Sequence, residues 1–182
     1  MSYYLVLERP NLHKYLLKLF DDKEAEAKAE KLVLDIEKQV GGWVRGELFL
    51  MLIIGVMTYL GLFLLGVPYA LPLAVLAGLL ELVPNLGPTM AAVPAIVIAL
   101  TVSPVIALGT LILSIVIQQL ENNLIVPKVM QSATGTEPLA TIIVLLVGFT
   151  LGGIAGAVLS MPIYLTIQTV YKALSPVSGQ RS

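Results

Sequence analysis

From residue 48 to residue 171 the chain is almost continuously apolar, and the interruptions are prolines, glycines and a handful of amides and acids. The first 45 residues look different. Leu12, Tyr15, Leu16, Leu19 and Phe20 recur at helical spacing, which predicts an amphipathic helix. Asp21 followed by Glu24 has the form of a capping box, and it opens a charged helix in which Leu32, Ile36 and Val40 share a face. Gly41-Gly42 is expected to end that helix. Residues 3–7 read as the last turns of a helix that begins upstream, and no basic leader with a full apolar region follows Met1.

Residues 48–66 supply about the twenty apolar residues that one membrane span requires. Gly55, Thr58 and Gly61 are small positions on it that allow close helix contact. Trp43 and Arg45 stand just ahead, as an interfacial aromatic and a snorkelling cation do where a chain enters the bilayer. Residues 67–83 and 87–102 are apolar but short, and the sequence between them is Pro84-Asn85-Leu86-Gly87-Pro88. Either they are two thin spans or a re-entrant hairpin whose tip is buried in protein or lines water. Pro68, Pro72 and Pro94 are expected to kink them. Ser103-Pro104 predicts a turn, and residues 105–120 an apolar helix ending at the polar run Gln118 to Asn123. A loop is expected over Pro127, Lys128, Gly135 and Pro138. The apolar tract 139–174 would make a straight helix of roughly 54 Å, well beyond a hydrocarbon core of about 30 Å. Gly152 and Gly153, with Pro162 beyond, predict a break near its middle.

Composition turns this pattern into a class. Hydrophobic residues make up 57% of the chain and charged ones 13%, and the mean hydropathy is +0.90. That is a membrane chain. Apart from tyrosines, the ionisable groups between residues 48 and 171 are Glu81, Glu121, Lys128 and Glu137. The eight basic residues before Leu48 are interleaved with nine acidic ones, so no polybasic patch forms and no nucleic-acid partner is expected. Without cysteine there is no disulfide, thiolate nucleophile or thiolate-ligated metal. His13 has no second ligand at helical spacing, and the apolar region has no histidine, aspartate or Gly-x-Ser-x-Gly run, so neither metal binding, a cofactor nor enzymatic catalysis is expected. The expected fold is all-α: a polytopic membrane helical bundle with broken or re-entrant helices and an N-terminal amphipathic segment. Residues 1–46 hold the end of a span and the amphipathic helices, 47–174 the transmembrane region, and 175–182 a polar tail.

The candidate chemistry sits where the apolar pattern breaks. Glu81 is at a helix end, with Asn85 one turn further on. An acid at membrane depth needs a partner, a proton or a cation, so Glu81 is placed to exchange one for another. The competing expectation is a break at the bilayer surface, where Glu81 meets water and Asn85 caps the next helix. Gln118, Gln119, Glu121 and Asn122 offer hard oxygens of the kind that suit Na⁺ or Li⁺ and hydrogen bonds to a polyol, with Gln118 and Asn122 on one helix face. The bland alternative is that these amides satisfy loop carbonyls at a helix end.

Two long runs, Glu-Leu-Val-Pro-Asn-Leu-Gly-Pro from Glu81 and Gln-Gln-Leu-Glu-Asn-Asn-Leu-Ile-Val-Pro-Lys-Val-Met from Gln118, occur in that order. They are followed by Gly-Gly-Ile-Ala-Gly-Ala-Val-Leu-Ser-Met-Pro from Gly152. Together with Arg45-Gly46 they resemble the AI-2E family of bacterial membrane transporters, the autoinducer-2 exporter or PerM-like permease family, over residues 3–174. The resemblance implies a multi-pass protein of the bacterial inner or plasma membrane and a homo-oligomer. It implies export of a small hydrophilic molecule such as autoinducer-2, or Na⁺(Li⁺)/H⁺ antiport. It also implies that this chain corresponds to the C-terminal part of a protein with about eight spans. Glu81, Pro84, Gly87 and Pro88 match the first signature, and Gln119, Glu121, Pro127 and Lys128 the second. The alternative function is a non-transporting membrane scaffold or assembly subunit.

Overall fold

The computed structural model describes residues 23–83, 87–133 and 138–174, all of them outside β-strands. The expected amphipathic helix over residues 12–20, Asp21 of the capping box, the polar tail, and Pro84 and Asn85 of the first break lie outside the described residues. Six α-helices follow in order: α1 (Lys23–Leu64), α2 (Ala70–Leu80), α3 (Gly87–Val102), α4 (Pro104–Leu120), α5 (Val126–Ala133) and α6 (Pro138–Leu174). A single π-helical turn, Glu121–Ile125, joins α4 to α5. The chain divides into two compact units, one holding described residues 23–40 and 164–174, the other residues 41–163.

In the first unit the charged stretch of α1 carries the expected stripe: Leu32, Ile36 and Val40 are half-buried while Lys28, Lys31, Glu37 and Lys38 are exposed. Leu165 is fully buried in the same unit.

In the second unit, three sequence expectations are corrected. First, α1 does not end at Gly41-Gly42 but runs through it. Two glycines cost about 1 kcal/mol each relative to alanine, which strong helix formers on both sides and apolar packing beyond them outweigh. Second, Trp43 is only 5% exposed, so it is a packing residue rather than an interfacial aromatic. Third, Pro127 and Lys128 are helical residues of α5, not a loop.

Helix α1 stops instead at Gly66, by a Schellman turn. The Val67 N–H bonds the Leu62 carbonyl at 3.0 Å and the Gly66 N–H bonds the Phe63 carbonyl at 3.1 Å. The turn requires a positive φ at the residue after the cap, and Gly66 has +68°. Leu62 and Val67, the two positions this turn brings together, are both buried in the main apolar cluster with Ala70, Leu73, Ala95, Ala99 and Ala107. Pro68 then lies outside any helix, while Pro72 and Pro94 are accommodated within α2 and α3. Ser103 caps α4 by accepting a hydrogen bond from the Ile106 N–H at 3.1 Å, with Pro104 in the first turn.

The cluster is mostly alanine because the helices touch at their backbones. Gly55 of α1 faces Gly78 of α2, and a Cβ placed on Gly78 would stand 2.7 Å from the Met51 carbonyl oxygen. In hydrocarbon, where lipid tails are as apolar as leucine, such close contact between small residues is what favours helix against helix. The outer faces are correspondingly greasy. Leu48, Phe49, Leu52, Val56 and Leu60 are all exposed along α1.

Among the described residues, three stretches are long and apolar enough to cross a membrane: Ala27–Leu64, Pro104–Met130 and Leu139–Ala173. The third is not one rod. At Gly152 (φ −140°, ψ 17°) and Gly153 (φ 60°, ψ −144°) the backbone leaves the helical region, and the Gly153 conformation is open essentially to glycine alone. The two arms, 138–151 and 154–174, fold back so closely that a Cβ on Gly148 would stand 2.5 Å from the Gly156 carbonyl oxygen and from the Ser160 Cβ. The arms are roughly 21 and 32 Å long at about 1.5 Å per residue. Pro162 does not break its arm, since the non-helical dihedrals are confined to the two glycines.

Candidate functional site

Three glutamates from three different elements are turned into the second unit. Glu47 lies on α1 in register with its buried stripe. Leu50, Ile54 and Leu62 follow at helical spacing with 1%, 0% and 1% exposure, and Glu47 itself is 2% exposed. Glu81 caps the C-terminus of α2, its N–H directed to the Ala77 and Leu79 carbonyls. The chain turns sharply behind it, with hydrogen bonds from the Val83 N–H to the Leu80 carbonyl and from the Gly87 N–H to the Val83 carbonyl, both 3.0 Å. A Cβ on Gly87 would collide with the Leu80 carbonyl and stand 2.7 Å from the Glu81 nitrogen. The first turn of α3, where Pro88 is also buried, therefore presses directly on the peptide that carries Glu81.

Glu121 opens the π turn, in which the Val126 N–H reaches back five residues to the Glu121 carbonyl. The sequence supplies a cause. Pro127 has no N–H to give to the carbonyl four residues earlier, and its ring would clash with that carbonyl. One extra residue in the preceding turn widens the helix and relieves both. Glu121 itself is placed by α4: its N–H is directed to the Ile117 carbonyl, and it continues the buried stripe of Thr110 and Ile117, while its neighbours Asn122 and Asn123 are exposed.

These carboxylates are electrostatic neighbours: Glu81 feels Glu121 most strongly and Glu47 next, and Glu47 in turn feels Glu121. Both oxygens of each are buried without an N–H or hydroxyl donor, and the Glu81 and Glu121 carboxyls are close enough to hydrogen-bond to each other through a shared proton. A carboxylate is acceptor-only, and two unit charges about 5 Å apart at an effective dielectric of 20 repel by about 3 kcal/mol. Three such groups side by side call for a proton, a cation or a polar solute to compensate them. Among the described residues no three His, Cys, Asp or Glu side chains converge as metal ligands do, so the carboxylates are adjacent without meeting at one point.

Of the residues expected to act from sequence, the fold brings Glu81 and Glu121 together. Glu81 does not meet water, as the surface-break alternative required; its exposure is 0%. Gln118 is half-buried and its amide donates to the Thr89 hydroxyl at 2.9 Å, tying α4 to α3. Gln119 is exposed and pairs with Asn123, whose amide donates to the Gln119 side-chain oxygen at 3.0 Å and to its carbonyl at 2.8 Å. Asn122 is exposed in the π turn. Glu47 is the residue that sequence reasoning missed. It stands next to the apolar run beside Arg45 and was counted with the polar prelude, although its spacing from Leu50 and Ile54 places it on the inward face.

Next to the glutamates a cavity of about 20 Å³ opens between α1, α2, α3 and α4, with Thr58 and Ser114 as its hydroxyl-bearing walls.

The sequence profile of the AI-2E family transporters matches residues 1–175. Three proteins of Bacillus subtilis are similar to this chain. The first, named "Putative transport protein YueF", is 30% identical over 141 residues, 78% of this chain and 38% of its own length. YrrI, named in the same way, is 33% identical over 128 residues, 70% of this chain and 36% of its own. YtvI, also so named, is 32% identical over 158 residues, 85% of this chain and 42% of its own. The chain thus spans about two fifths of the length of these relatives. A profile match over nearly the whole chain, on a helical membrane architecture, makes this multi-pass membrane protein a member of the AI-2E transporter family.

Proposed function

We propose that the chain is the C-terminal part of a secondary transporter of the bacterial plasma membrane, and that Glu81 and Glu121 couple Na⁺ or Li⁺ movement to that of H⁺. One observation carries the reading: three neighbouring carboxylates, each at most 2% exposed, with no N–H or hydroxyl donor. Burial of that kind has no structural benefit, since apolar side chains of similar volume would pack there at lower cost. Its use is to bind and release a compensating charge as access alternates. The family description and the relatives' names support transport in general. The family description also supports a second reading, export of a small hydrophilic solute such as autoinducer-2, with the glutamates as its polar lining. The apolar outer face of α1 suits lipid or a second copy of the protein, and a homo-oligomer belongs to this proposal.

The test is flux in proteoliposomes carrying the full-length protein under an imposed proton gradient and then a sodium gradient, wild type beside Glu81→Gln. Sodium–proton exchange in the wild type and its loss in the variant is the expected outcome. Unchanged flux in a normally expressed Glu81→Gln protein would refute the coupling role. Movement of a hydrophilic metabolite without either ion would favour export.

A further inference from the structure

The glutamates are buried in protein, so whatever compensates them needs a route, and a small cavity lies one helical turn from two of them. Ala77 and Ile117 line it, and each stands one helical turn before a glutamate, Glu81 on α2 and Glu121 on α4. Pro88 lines it as well, next to Gly87, whose backbone rests on the Glu81 peptide. Along either helix axis the step from glutamate to cavity is about 6 Å. On α4 the polar positions continue away from Glu121 on one face: the Ser114 hydroxyl donates to the Thr110 carbonyl at 2.9 Å, and the Thr110 hydroxyl donates to the Ile106 carbonyl at 2.9 Å. Thr110 is fully buried. In α1, Thr58 brings a half-buried hydroxyl to the opposite wall.

A volume of about 20 Å³ exceeds the roughly 10–15 Å³ that one water needs, and two hydroxyls supply the minimum of two polar partners. We propose that the Thr58–Ser114 cavity is a single-water site, and that it forms the narrow hydrated passage to Glu47, Glu81 and Glu121 between α1, α2 and α4. Ala91, Ala92 and Ala95 of α3 keep the passage open by being small. The water bridges the Thr58 and Ser114 hydroxyls and lies one turn from Glu81 and Glu121 and about two turns from Glu47 along α1, where a proton or a small monovalent cation passes. What the water serves rests on the transport reading; the hydration itself does not.

Silver ion tests this directly, because it is a small monovalent cation that reaches thiols through water and not through hydrocarbon. Ser114→Cys and Thr58→Cys are made separately in otherwise cysteine-free full-length protein. Membrane vesicles are exposed to Ag⁺, denatured, and labelled with a maleimide. Ala99→Cys, in the dry alanine core, and Val56→Cys, on the exposed apolar face, serve as controls. The expected result is loss of maleimide labelling at positions 58 and 114 and full labelling at 99 and 56. Adding Ala92→Leu to Ser114→Cys fills the cavity and restores labelling. Full labelling at both 58 and 114, equal loss at all four positions, or continued protection after Ala92→Leu would each overturn the proposal. Protection at 58 and 114 in a protein that moves no solute would uphold the water site and refute the transport reading instead.

Discussion

Replacing Glu81 by glutamine is expected to make the protein more stable while disabling it. In the wild type, the six oxygens of Glu47, Glu81 and Glu121 are buried without an N–H or hydroxyl donor, and Glu81 and Glu121 can bond each other only when one of them carries a proton. The amide is nearly isosteric with the carboxylate, so the α2 cap, the turn to Gly87 and the surrounding packing are retained. It removes one ionisable group from the cluster and adds two N–H donors beside Glu121, the neighbour that Glu81 feels most strongly. A hydrogen bond to a charged acceptor is worth about 1.5–3 kcal/mol, and the relief of like-charge proximity acts in the same direction. On the usual scaling of melting temperature with stability, that corresponds to a rise on the order of 5 °C. The assay is thermal unfolding of the full-length protein in detergent, followed by intrinsic fluorescence and by loss of monodisperse material. A fall in midpoint would refute the reasoning, because it would mean that the carboxylate has a favourable partner that the amide cannot replace. The rise in stability and the loss of coupled flux are separate readouts on one variant, so a merely structural glutamate would fail both.

Three further outcomes follow from the packing. Gly78→Ala places a methyl 2.7 Å from the Met51 carbonyl and is expected to destabilise the protein by about 1–3 kcal/mol, read as a lower unfolding midpoint; Gly66→Ala, where nothing stands within 4 Å but φ is positive, tests backbone strain separately. Gly153→Val forces a β-branched residue into a conformation open essentially to glycine, and should cost at least about 1–3 kcal/mol and increase proteolysis at the tip between Leu151 and Ile154, which are 84% and 59% exposed. Pro127→Ala restores the missing N–H, so the π turn should revert towards α geometry and shift the register of α5 relative to α4, leaving Glu121 where α4 places it. The expected readout is a backbone hydrogen bond from residue 127 to the Asn123 carbonyl in a structure of the variant, and a retained π turn would refute Pro127 as its cause.

The periodic apolar pattern by itself determined that the chain is helical and membrane-embedded, because about twenty consecutive apolar residues have no soluble use. It also placed the sharp features correctly where local chemistry governs them: the Ser103-Pro104 start of α4 and the turn at Gly152-Gly153 need only the cap, the ring and the missing side chain. The same local logic misread Gly41-Gly42, since a helix break depends on whether the flanking turns have packing to hold them, and Trp43 is buried by that packing. It misread Pro127 as a loop because a proline inside a helix can be absorbed by a π turn, and nothing in the sequence says which outcome is cheaper. Tertiary structure alone decided the site. Glu47, Glu81 and Glu121 are 34 and 40 residues apart along the sequence, and only the close crossing of α1 on α2 at Gly55 and Gly78, with the inward stripe of α4 that runs from Thr110 through Ile117 to Glu121, brings their charges within reach of one another.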